Sequence, residues 1–160
     1  MRQIKFRGKD LDGAGWVYGH LVKEVRGDVW IFPHDDTHRS AFGDWYYRKW
    51  PGFCVVDPKT VGQYTGRKDK NGKEIYEGDV FTVNGKYPKV VKYIEDWLSF
   101  CVANIDTITT PPMSSWPDEY NYQQFSHGWW KDFQNEIEVI GNIHDNSELL
   151  KQRESNQNEL

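Results

Sequence analysis

Apolar and polar positions alternate from the start of the chain: Ile4 and Phe6 are interleaved with Lys5 and Arg7, and Trp16, Val17 and Tyr18 resume the pattern after Asp12-Gly13-Ala14-Gly15. A period of two on either side of a glycine-rich break predicts two strands and a turn, an N-terminal hairpin. DVWIFPHDD adds a short strand that Pro33 should end, because proline cannot donate to a ladder. The aromatic span HRSAFGDWYYRKWPGF has no regular period and reads as a long loop, after which Phe53 to Val56 is a short apolar strand. In Asp69-Lys70-Asn71-Gly72, Asn and Gly tolerate positive φ, so this stretch closes a hairpin whose arms are Thr60 to Tyr64 and Glu74 to Tyr76. Gly78, within Glu77-Gly78-Asp79, permits a sharp bend before the β-branched run Val80 to Val83. Asn84-Gly85 is a further turn signal, and Pro88 to Tyr93 and Leu98 to Ile105 follow as strands.

From Asp106 to His127 periodicity is lost among prolines and polar residues, which predicts an extended loop. Trp129 to Phe133 fits a brief helical turn, Glu136 to Ile143 a final strand, and SELLKQRE a short C-terminal helix capped by Asn146 or Ser147. Together these patterns predict an all-β, mainly antiparallel chain: a small barrel-like or sandwich domain with an N-terminal β-hairpin subdomain and a short C-terminal helix. The expected organisation is one domain over 1–150, with subdomains of about 1–58 and 59–150 as the alternative, and a disordered tail over 151–160.

Composition changes this picture in three ways. An aromatic share of 16%, with eight Trp, favours a core made of sheet rather than of Leu- and Ala-rich helices. A net charge of −4 argues against binding nucleic acid by bulk attraction and leaves only a local basic patch for that role. Two cysteines, no apolar run of membrane-spanning length and no signal-peptide pattern lead to the expectation of a cytoplasmic protein with reduced thiols and no membrane association.

Three segments, IKFRGKD, VGQYTGRKDKNGKEIYEGDV and IEVIGNIHDNSELL, together resemble the YopX family of phage and prophage proteins. The central one is the most specific, because its turn, aromatic arm and EGD bend recur as a unit there. Two spans, Phe42 to Trp50 and Asp106 to Phe133, lie outside the resemblance. The resemblance implies a mostly β fold with a barrel-like part, encoded on mobile elements or temperate phages. It brings no established activity and no catalytic residues.

The densest set of potential ligands is His34-Asp35-Asp36-Thr37-His38, where His34, Asp36 and His38 could hold zinc or manganese, with His20 or His127 completing the site. An exposed turn after Pro33 accounts for the same residues without a metal, and no cofactor is expected. Cys54 and Cys101 each sit in an apolar run and read as free core thiols. Asp35-Asp36, Glu77/Asp79 and Asp118-Glu119 are paired carboxylates; beside Gly78 the pair is better suited to holding a turn than to acid–base chemistry.

Arg67, Lys68, Lys70 and Lys73 cluster on the central hairpin, and Trp45, Tyr46, Tyr47 and Trp50, with Arg48 and Lys49, form a second basic-aromatic set. Such surfaces stack and neutralise single-stranded nucleic acid, while the same aromatics also suit a core or a protein interface. The expected function is therefore that of a non-enzymatic phage or prophage accessory protein that binds a phage or host protein or assembles as a homo-oligomer. Nucleic-acid binding through the two basic-aromatic sets is the alternative.

Overall fold

A computed structural model describes residues 3–13, 15–24, 27–33, 53–105, 122–146 and 149. Among the described residues the chain is mainly antiparallel β, with one short helix. It divides into two units, Met1–Gly66 and Arg67–Leu160, and the division falls inside a strand.

In the first unit β1 (Phe6–Lys9), β2 (Trp16–Lys23), β3 (Val29–Pro33), β4 (Cys54–Val55) and the start of β5 (Gly62–Lys68) lie in the order β4-β3-β2-β1-β5, every neighbouring pair antiparallel. The β1–β2 hairpin predicted from the alternation is present, with Arg7 opposite Tyr18 and Lys9 opposite Trp16. Its turn uses positive φ at Gly13 and Gly15 and the Asp10 carboxylate, which accepts the Asp12 N–H at 3.2 Å. Val17, Val29, Ile31, Cys54 and Val56 form the buried face, with Phe6, Leu21 and Val61 packed on it. Burying each such side chain stabilises the fold by roughly 1.5–3 kcal/mol. Where a strand was expected to begin at Thr60, the chain instead makes a 3₁₀ turn, η1 (Pro58–Thr60). The Asp57 carboxylate caps it, and the Thr60 hydroxyl donates to Asp57 O and accepts the Lys9 N–H.

In the second unit β6 (Glu74–Tyr76) is the return arm of the central hairpin. It is followed by β7 (Asp79–Val83), β8 (Lys86–Ile94), a 3₁₀ turn η2 (Glu95–Trp97), β9 (Ser99–Asn104), β10 (Tyr122–Gln124), α1 (His127–Phe133) and β11 (Ile137–Asn142). The strands from β7 onward form a sheet in the order β10-β9-β8-β7-β11, β6 pairing instead with β5, and no closed barrel forms among the described residues. One face carries Phe81, Val91, Phe100, Val102, Ile137 and Val139 under Ile75, Phe125 and Trp130; the other buries Val80, Val90, Ala103 and Ile105. Phe125 is the aromatic hinge of the larger cluster, its ring 6.0 Å from Phe81 and 5.3 Å, edge-on, from Trp130.

The loop expected from Asp106 to His127 needs correction at its end, because Tyr122–Gln124 is a strand. Tertiary pairing decides this: Gln123 registers with Val102 of β9, and the Phe125 N–H donates to Phe100 O. The helical turn expected at Trp129 begins at His127, where the Ser126 hydroxyl accepts the Trp129 N–H as an N-cap. The helix predicted over SELLKQRE lies outside the described residues except for Leu149.

Candidate binding surfaces

The central hairpin is held from below by an acid. Asp69 is buried, one carboxylate oxygen accepting the Asn71 and Lys73 N–H groups at 2.8 and 2.9 Å and the other accepting the Val139 N–H at 3.1 Å. Gly72, at φ 81°, makes the turn. This scaffold separates the four basic residues rather than massing them. The Arg67 guanidinium lies 5.1 Å from the centre of the Trp130 ring, Lys70 is ion-paired with Glu138, and Lys68 and Lys73 are exposed. Trp130 itself is buried, so its ring receives Arg67 and has no free face for a stacking base.

The Glu77-Gly78-Asp79 bend is a structural device. Asp79 is buried and accepts the Tyr76 N–H at 2.8 Å, Glu77 accepts the Tyr93 N–H at 3.2 Å, and Gly78 has φ 82° while bonding Val91 and Ile143 through its backbone. Asn142 does the same for the segment that follows β11, its side-chain oxygen accepting both the His144 and Asp145 N–H groups at 2.9 Å. The signal for both is the placement of Asp and Asn next to glycine.

The outer face of the first sheet carries a surface that sequence reasoning missed. The alternation in IKFR puts Phe6 on the opposite face from Lys5 and Arg7, and Phe6 packs on the core. Yet Lys5 and Arg7 are buried and Ile4 is exposed. Aromatic rings on the same face receive the two cations: Lys5 Nζ lies 4.7 Å from the Tyr64 ring and the Arg7 guanidinium 4.6 Å from the Trp16 ring, with Lys9 Nζ 5.7 Å from that ring. Long cationic stems buried along rings explain how charged side chains come to be covered. Beyond them the same face is apolar and accessible. The register sets His20 opposite Phe32 and Val22 opposite Trp30, and Tyr18, Val22 and Phe32 are 40%, 42% and 44% exposed. The Phe53 ring supports Phe32 at 5.1 Å. Alternate residues Tyr18, His20 and Val22 were the available signal, but period two alone does not reveal that both faces of a strand are apolar.

In the second unit a groove of about 480 Å³ follows β10, lined by Trp97, Tyr122, Gln123, Gln124 and Ser126. Lys92 Nζ lies 5.7 Å from the Tyr122 ring, and Lys89 donates to the Asn104 side chain at 3.0 Å, with burial holding its ammonium below the usual lysine range.

The metal candidates His34, Asp36 and His38, the aromatic set Trp45, Tyr46, Tyr47 and Trp50, and the pairs Asp35-Asp36 and Asp118-Glu119 lie outside the described residues. Among the described residues no group of three or more His, Cys, Asp or Glu is placed to hold a metal. His20 stands on β2 and His127 opens α1. Cys54 and Cys101 are both buried and outside any disulfide, and burial pushes both thiols up. Among the described residues no helix is long and apolar enough to cross a membrane.

The family described as YopX protein matches residues 5–151, and so takes in both sheets and every element from β1 to β11. The chain belongs to the YopX family. Within it the Asp69 hairpin, the Gly78 bend and the Asn142 turn are the physical content of the segments whose resemblance to the family was visible in the sequence. A solved structure, protein EF1440 from Enterococcus faecalis, is similar at 22% identity and a TM-score of 0.50, covering 94% of this YopX chain and 99% of its own. That likeness bears on fold. No curated protein matches.

Proposed function

We propose that this YopX-family chain is a phage- or prophage-borne accessory protein that acts by binding another polypeptide rather than by catalysis. The observation that carries the reading is the outer face of the first sheet, where Tyr18, Val22 and Phe32 stand partly exposed on adjacent strands with His20 between them. Contiguous exposed apolar side chains rimmed by polar groups are the usual mark of a protein interface. The supporting cations Lys5 and Arg7 are buried against rings, and this makes the patch rigid, which lowers the ordering cost of binding. The carboxylate pair at Glu77/Asp79 is committed to backbone groups, which favours binding over acid–base chemistry.

A second reading, nucleic-acid binding through the central hairpin, draws on the exposed Lys68 and Lys73. It is weakened by the engagement of Arg67 with Trp130 and of Lys70 with Glu138.

A photo-cross-linking amino acid at Phe32, in cells producing the protein, is the test. A polypeptide adduct at position 32 is expected, lost with Val22→Asp and missing when the cross-linker replaces the exposed Tyr87 of β8. No adduct at 32 would overturn the reading. Saturable, steeply salt-sensitive quenching of Trp fluorescence by oligonucleotides, lost with Lys68→Glu and Lys73→Glu, would put the second in its place.

A further inference from the structure

The two edges of the second sheet are treated differently by the fold. At β11 the edge is occupied from within the unit: Ile137 O accepts the Lys70 N–H, the Val139 N–H donates to Asp69, and the Asn142 N–H donates to the Asn146 side chain. Exposed edges invite pairing with other chains, and proteins normally block them in this way. At the opposite end β10 is the terminal strand among the described residues, and a groove of about 480 Å³ runs along it, lined by Tyr122, Gln123 and Gln124 in succession. A groove that touches consecutive residues of a strand follows the backbone edge rather than one face, because successive side chains point to opposite faces.

The register says which backbone groups look into that groove. The Phe125 N–H donates to Phe100 O, so Phe125/Phe100 is a hydrogen-bonded pair, and by alternation Gln123/Val102 is the next. Tyr122 and Gln124 therefore direct their N–H and C=O groups away from β9. We propose that β10 pairs antiparallel with β10 of a second copy of this chain, about a two-fold axis at Gln123. In that arrangement Tyr122 of each copy faces Gln124 of the other, so the outward groups on one copy meet outward groups on its mate. Gln123 faces Gln123 as a non-hydrogen-bonded pair, with Cα atoms about 4.5 Å apart. The strand is Tyr-Gln-Gln, with no charged side chain, so the symmetry sets no like charges opposite one another. Trp97 supplies an apolar wall to the groove, and Leu98 beside it is 81% exposed, apolar area that association would cover.

This inference uses a different unit and different residues from the polypeptide-binding patch, so either stands or falls without the other. Sedimentation velocity over a concentration series tests it. The protein is expected to show a monomer–dimer equilibrium, and Gln124→Pro, which removes an outward N–H and leaves the Gln123 ladder intact, is expected to weaken the dimer at least tenfold. Gln123→Lys and Gln123→Glu are each expected to be monomeric, and an equimolar mixture of the two to restore the dimer as a heterodimer. That rescue is independent of any effect on folding. Oxidation of Gln123→Cys is expected to give a cross-linked dimer, with Asn135→Cys, at an exposed position after α1, as the control that does not. A monomer at all concentrations, a dimer indifferent to Gln124→Pro, or a charge-swapped mixture that stays monomeric would each overturn the proposal.

Discussion

Cys54 illustrates how one side chain reports its surroundings. It is 1% exposed, and burial, followed by the negative charges of Asp10 and Asp12, pushes its thiol from 9.0 up to about 11. The folded state therefore holds this proton more tightly than the unfolded chain does. Its contribution to stability is whole below pH 9.0 and is lost as pH rises from there through about 11. The thermal midpoint is expected to fall across that window and to fall less in Cys54→Ala. At neutral pH this leaves far less thiolate, on the order of 100-fold less, so a thiol reagent is expected to label native Cys54 much more slowly than urea-unfolded protein. Gly19 carries a steric constraint instead: a Cβ there would lie 1.9 Å from Phe32 O, a backbone atom that cannot swing away. Gly19→Ala is expected to cost about 1–3 kcal/mol or more, read from urea unfolding. The thiol's burial was legible in the apolar run around it. Gly19's constraint was not, because it depends on the β2–β3 approach, which no local pattern encodes.

The central hairpin shows how the turn of an element can be legible in the sequence while its long-range contacts are not. Asn71-Gly72 announced the turn, and the structure makes it there. Asp69 stands among lysines in the sequence, and its carboxylate satisfies three backbone N–H groups, one of them on β11, 70 residues away. Asp69→Ala leaves those donors without their acceptor and is expected to destabilise the second unit by about 2–4 kcal/mol, measured by chemical unfolding. Hydrogen exchange at Val139 is expected to rise with it. A neighbouring substitution at Lys73, whose side chain is exposed, is expected to change stability by less than about 0.5 kcal/mol. Sequence carried the turn because turn chemistry is local. It could not carry the contact with β11, nor the strand at Tyr122–Gln124, because both arise from partners distant in the chain. The buried cations Lys5 and Arg7 escaped detection for a related reason: the rings that cover them, Tyr64 and Trp16, come from other strands.

At the scale of the whole molecule the class was legible throughout, since turn signals and two-residue periods recur from β1 to β11 and aromatic residues fill the sheets. The candidate surfaces were much less so, since they are made by register between strands rather than by any one stretch. Ile31 lies in the buried face of the first unit and Ile137 in the larger cluster of the second, each 0% exposed. Substituting either by Ala is expected to cost about 2–5 kcal/mol, and because the two clusters share no member the double variant is expected to equal the sum within about 0.5 kcal/mol. The division inside β5 has one more consequence, for the order in which the protein is made. The pairings that join β4, β3, β2 and β1, and that of Phe6 and Arg7 with Gln63 and Gly62 of β5, are made by residues within the first 66, and only the edge partner β6 comes later. The second sheet, by contrast, must wait for β11 to emerge before β7 gains its outer neighbour. A ribosome stalled after Gly66 has cleared its exit tunnel therefore already presents all the partners of β1 to β4, and the nascent chain can fold its amino-terminal half while the carboxy-terminal half is still being translated.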